Sequence, residues 1–156
     1  MQSKKILMVE DNPNDVLLTK RALLKSNVTN GLVMAEDGVE ALKYFFGEDG
    51  KSGCSIEDLP VVVLLDLKLP RFDGHEVLRR MRANVKTKLV PVVVLTSSNE
   101  ERDIVVSYHL GANSFIRKPV KFSEFEDVIR QLWPYWLILN QPAPNGYGNY
   151  KVNEGL

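Results

Sequence analysis

Five short aliphatic runs alternate with longer amphipathic stretches along residues 5–133. The runs are KILMV (5–9), LVMAE (32–36), VVVLL (61–65), PVVVLT (91–96) and NSFIR (113–117). Each is nearly continuous in apolar residues rather than alternating, which is the pattern of parallel strands covered on both faces. The stretches between them carry helix-start signals. Asn12-Pro13 puts a capping side chain before a proline at the first helical position. Asp37 to Glu40, Asp73 to Glu76, Ser98 to Glu101 and Ser123 to Glu126 have capping-box spacing. The pattern predicts helices near 13–26, 38–46, 74–83, 99–110 and 122–133, with Gly111 as a C-cap. Strict alternation of strand and helix predicts an α/β fold, a doubly wound parallel sheet with right-handed crossovers. One connection is long: GEDGKSGCSIEDLP (47–60) reads as a polar surface loop.

Composition narrows the class. The chain has 156 residues, a normal size for one domain, and 20 basic against 20 acidic side chains. Balanced charge argues against a nucleic-acid partner. A single cysteine, Cys54, rules out an internal disulfide and points to a reducing compartment. The opening MQSKKILMVE has no signal-peptide core, and WPYWLIL near the other end is far short of the ~20 apolar residues that span a bilayer. The expectation is a cytoplasmic protein without membrane attachment.

Ligands of open α/β sheets bind beyond the carboxyl ends of the strands, where the strand order reverses. The polar residues at those ends are Glu10 and Asp11, Asp66, Thr96 and Lys118. If the first, third, fourth and fifth strands are neighbours, these groups converge in one cleft. Three carboxylates are hard oxygen ligands suited to Mg2+. Without a cation they would repel and raise one another's pKa. An ionised aspartate beside a cation is a nucleophile toward phosphorus, and Lys118 offers positive charge to a phosphoryl oxygen. The reaction class is phosphoryl transfer to an aspartate. Taken singly, Asp11, Asp66 and Lys118 read as caps and a structural ion pair, and Thr96 as a strand-end hydrogen bonder. Arg71 and Lys68 read as solvated, and Asp73-Gly74 as a cap and turn. His75 and His109 lack ligand-spaced partners, and Cys54 lacks a nearby base.

The stretches ILMVEDNPND, AEDGVEAL, LLDLKLPRFDG, VVVLTSS and GANSFIRKPV, in this order, resemble the receiver domain of bacterial two-component response regulators over roughly residues 4–133. The resemblance implies a flavodoxin-like (βα)5 sheet of strand order 2-1-3-4-5. It implies that Asp66 accepts a phosphoryl group from a sensor histidine kinase. It also implies Mg2+ held by Asp11, Asp66 and the Lys68 backbone carbonyl, with Glu10 holding a metal-bound water. Thr96 and Lys118 correspond to the pair that contacts the phosphoryl group, and Lys118-Pro119 to a bond that is usually cis. Phe115 stands where the family often has an inward-swinging aromatic, here without a hydroxyl. Lys68 occupies a position that influences acylphosphate lifetime.

LWPYWLILNQPAP and the long 47–60 loop resemble single-domain receivers paired with cyanobacterial-type phytochromes. The expected division is a receiver over 1–133 and a C-terminal extension over 134–156, irregular at its end, with no output domain. Pro134 should end or kink the last helix. The surplus apolar residues 135–139 suggest a homodimer through the fourth helix, fifth strand and fifth helix, with Trp136 and Leu137 contributing. The same aromatics can also pack on their own domain. The expected role is a non-enzymatic phospho-switch limited to self-phosphorylation and autodephosphorylation. The alternatives are a relay intermediate to a histidine phosphotransfer protein, an aspartate-nucleophile phosphatase and a structural pseudo-receiver. The phosphatase would want an acid where Lys68 stands.

Overall fold

A computed structural model of the chain describes residues 4–28 and 31–154. The ends of the expected receiver and tail, residues 1–3 and 155–156, lie outside the described residues. The elements are β1 (Lys5–Val9), α1 (Pro13–Lys25), β2 (Gly31–Ala35), α2 (Gly38–Phe46), β3 (Val62–Leu65), α3 (Gly74–Ala83), β4 (Val92–Thr96), α4 (Glu101–His109), β5 (Ser114–Arg117) and α5 (Phe122–Trp133). The five strands form one parallel sheet of order β2-β1-β3-β4-β5. This is the flavodoxin-like arrangement, and the strand order reverses between β1 and β3.

Side-chain alternation divides the core into two layers. Leu7, Val9, Val63, Leu65, Val92 and Val94 face one way and pack with Ala41 and Phe45 of α2 and Val77, Leu78 and Met81 of α3. Ile6, Met8, Val62, Leu64, Val93 and Leu95 face the other way, onto Ala22 and Leu23 of α1 and Phe125, Ile129 and Trp133 of α5. The strand residues need no polar alternation because both faces are covered.

Three capping expectations hold. Asn12 accepts from the amides of Asn14 and Asp15, Asp37 from Glu40, and Asp73 from Glu76. Two do not. α4 starts at Glu101, because Ser98 remains in the loop: its hydroxyl donates to Asp103 at 2.5 Å and accepts from the Glu100 amide. α5 starts at Phe122 with Lys121 at the cap and no side-chain cap bond, so Ser123 lies inside the first turn.

Pro134 ends the α-helix, yet the chain continues as a π-helical turn over Pro134–Leu139. The missing proline amide loosens the ladder instead of expelling the chain. Trp136 and Leu137, the residues expected at a partner surface, both lie in this turn. Leu137 is buried within its own domain and its carbonyl accepts from Lys4 Nζ. Trp136 is half-buried against the same core and meets Tyr135 edge-on at 4.9 Å. The wide turn instead aims Ile138 and Leu139 at solvent, with side chains 76% and 71% exposed. Beyond it the extension is irregular apart from a 3-10 turn at Val152–Glu154, and it returns to the domain. Asn145 Nδ2 donates to Ile56 O at 2.9 Å, and Gly148 lies against the Val85 backbone.

Candidate phosphoryl-acceptor site

Backbone pairing carries the ladder past the strand ends and brings the acids together. The Glu10 amide donates to Ala35 O at 3.0 Å, and the Asp66 amide donates to Val9 O at 3.1 Å. Carboxylate oxygens of Glu10, Asp11 and Asp66 all lie within 4.8 Å of one another, at the point where the strand order reverses. Asp11 is exposed, whereas Glu10 and Asp66 are 2% and 6% exposed. Beside Asp66 the chain passes so tightly that a Cβ on Gly74 would come within 2.2 Å of Asp66 O, so glycine is required there.

Lys118 enters from the end of β5, positioned by its amide bond to Thr96 O at 2.7 Å. Its ammonium contacts Glu10 Oε2 at 2.6 Å, Asp66 Oδ2 at 2.9 Å and Asp15 Oδ2 at 2.9 Å. Asp15 is not one of the strand-end residues. Its signal in the sequence is only that of an acid in the first turn of α1, which is common beside any helix N-terminus. The Lys118–Pro119 bond corrects the cis expectation: no peptide bond among the described residues is cis. An X–Pro bond favours trans by default, and the trans chain already delivers the ammonium to Asp66.

Three carboxylates thus surround one inward ammonium, and Asp11 adds a fourth acid beside Glu10 and Asp66. Burial, together with the charge of Asp66, pushes Glu10 up to about 7 despite its bonds to Lys118. Burial would lower the Lys118 pKa, but the charge of Asp66 and the bond to Glu10 raise it instead. The ammonium therefore stays charged, and the acids have a remaining deficit of positive charge. A hard divalent cation fits that deficit and the all-oxygen donor set. The cleft is lined by Glu10, Asp11, Asp15, Asp66, Lys68, Ser97 and Lys118 among others. Lys68 projects at its rim, exposed, while its amide donates to Asp66 Oδ1 at 3.3 Å.

Thr96 is fully buried at the end of β4, its oxygen accepts from the Ser98 amide at 3.4 Å, and its exposed neighbour Ser97 lines the cleft in its place. The Thr96 hydroxyl proton remains available for donation. Phe115 pairs in register with Val94 and packs, half-buried, on the α2–α3 side of the core. His75 bonds Ser107 Oγ at 3.0 Å between α3 and α4, away from the cleft. Burial raises the Cys54 thiol, which leaves it a poor nucleophile.

Residues 6–130 match the response regulator receiver domain family. The chain belongs to this family. It is 36% identical over 140 residues to the probable methanogenesis regulatory protein FilR2 of Methanothrix harundinacea, covering 89% of this chain and 88% of that protein. It is similar to the phosphorylated cyanobacterial phytochrome response regulator RcpA, with a TM-score of 0.82, 37% identity, and coverage of 89% and 97% of the two chains. It also resembles the Mn2+-bound form of Rcp1 from Synechocystis, with a TM-score of 0.81, 31% identity, and coverage of 90% and 99%. The protein is a receiver-domain response regulator of the two-component type. No helix among the described residues is long and apolar enough to cross a membrane.

Proposed function

We propose that this receiver is a phosphorylation-controlled binding module whose acceptor is Asp66. The observation that carries the reading is the buried Asp66 carboxylate at a strand end, 2.9 Å from Lys118 Nζ and clustered with Glu10 and Asp11. An Asp66 oxygen attacks phosphorus of a phosphohistidine. The O–P bond forms, the P–N bond breaks, and the imidazole leaves with a proton. Lys118 moves its charge from the carboxylates to a phosphoryl oxygen, and Thr96 donates its hydroxyl proton to another. Glu10, Asp11, Asp66 and the Lys68 carbonyl would hold Mg2+, with Glu10 acting through a bound water. The cation would neutralise charge on the transferring group. Phe115 has no phenol, so its part in the switch is packing. The chain is not a turnover enzyme on this reading.

The phosphoryl donor is a sensor histidine kinase, and the relatives RcpA and Rcp1 favour one of the phytochrome class. Output passes through protein contacts, including a homodimer of the α4–β5–α5 face and the extension. Val105, Tyr108 and Phe122 on that face are exposed, as are Tyr135, Ile138 and Leu139 on the extension.

The test is phosphotransfer from a phosphorylated kinase or acetyl phosphate with Mg2+. Wild type should take up one acid-stable, base-labile phosphoryl group and Asp66→Asn none. Equal labelling of the two sinks the reading.

A further inference from the structure

The loop after Asp66 contains a residue in an uncommon conformation. Arg71 has φ of 65°, the left-handed region that is strained for a side chain with a Cβ. Such a conformation persists where the surroundings over-determine it, and here the surroundings are on α2. Arg71 Nε and Nη2 both donate to Asp37 Oδ2, at 2.9 and 2.6 Å. The other Asp37 oxygen is already engaged as the α2 cap, accepting from the Glu40 amide at 2.8 Å. Asp37 therefore joins a helix N-terminus to the loop with one carboxylate.

The neighbouring contact is equally close. A Cβ on Gly38 would come within 2.3 Å of Phe72 O, so the loop backbone rests directly on the start of α2. The Arg80 guanidinium stacks over the Phe72 ring at 4.5 Å. At the other end, the amides of Leu69 and Gly74 both donate to Leu67 O, at 3.1 and 2.9 Å. The loop is thus pinned on Leu67 and on α2, and Lys68 lies between the two anchors.

We propose that Asp37 and Arg71 form a positioning pair for the divalent-cation site, fixing the loop that presents the Lys68 carbonyl. Neither residue touches the cation. The inference rests on the reading of the cleft given above. An ion pair with no positioning role would not weaken cation binding when it is lost.

The sign of one substitution separates positioning from plain electrostatics. Removing the Arg71 charge makes the surroundings more negative, so Coulomb's law alone predicts tighter cation binding. Loss of positioning predicts weaker binding. Arg71→Gly removes the ion pair without backbone strain, and Arg71→Gln, which keeps the Cβ, controls for the freedom that glycine adds to the loop. The probe is Mn2+, with free ion counted by electron paramagnetic resonance, and no phosphoryl donor is present. Arg71→Gly should bind Mn2+ about tenfold more weakly, the effect typical of a lost outer partner of a metal site. Asp37→Asn keeps a good cap and should weaken binding too, and the double variant should be no worse than the weaker single. Arg71→Gln, read in the same way, serves if the glycine variant does not fold. Binding by the Arg71 variants as tight as wild type, or tighter, overturns the inference. Wild type that takes up no Mn2+ overturns the reading of the cleft, and the inference with it.

Discussion

Asp66 is a charged group held almost fully inside the protein, and such a group is tolerated only with compensating partners. Lys118 supplies one, and a divalent cation among Glu10, Asp11 and Asp66 would supply another. The backbone beside Asp66 is as constrained as its carboxylate. Gly74→Ala drives a methyl group into Asp66 O and the Leu67 backbone, neither of which can rotate away. The substitution should cost about 3 kcal/mol in a urea melt, the upper range for overpacking. It should also slow phosphorylation, because relief requires the acceptor loop to shift. Lys68 behaves differently, since its side chain is exposed at the cleft rim. Lys68→Ala should leave the melt unchanged and alter the half-life of the acylphosphate through water access. Identical half-lives in a filter-binding decay assay would remove Lys68 from that role.

At the scale of elements, the periodic signals and the packed structure agree on all five strands and all five helices, with ends shifted by one or two residues. Periodicity and caps are interactions between near neighbours in sequence, so they can be read locally. The α4 start shows the limit. Ser98 has cap chemistry, but its hydroxyl is used to tie the β4–α4 loop to Asp103. Longer links could not be read at all. Arg82 of α3 donates to the carbonyls of Gly111, Lys88 and Val90 and to Asn113 Oδ1, at 2.8–3.1 Å. It thereby closes the far end of α3 onto the turns flanking β4 and β5. Arg82→Ala strips several partly buried acceptors of a charged donor and should destabilise the fold by about 3 kcal/mol. Labelling of Asp66 at low temperature should be unaffected, because this cluster lies at the opposite ends of the strands from the cleft.

For the whole molecule, the extension decides which of its apolar side chains face solvent. The π-helical turn buries Leu137 and exposes Ile138 and Leu139. Adjacent positions therefore give opposite outcomes. Ile138→Asp should leave a cooperative melt intact while shifting a dimer at ~10 µM, within the range of transient association, toward monomer in sedimentation velocity. Leu137→Asp places a charge in the α1–α5 core and should lower the melting temperature sharply before any effect on association can be read. A wild-type monomer throughout that concentration range would rule out the dimer.

The sequence by itself determined the layered α/β class, the strand positions and four groups at one end of the sheet: the pair Glu10 and Asp11, then Asp66, Thr96 and Lys118. Each follows from a local pattern combined with the rule that parallel strands present their carboxyl ends to ligands. Tertiary structure alone decided that Asp15 meets Lys118, that Arg71 reaches Asp37, and that Leu137 turns inward. It alone placed the Lys118–Pro119 bond in trans and folded the extension back over the 47–60 loop. These features depend on how helices and loops are placed around the sheet. Local sequence specifies where a helix begins, but the packing of its buried face specifies which distant side chain it meets.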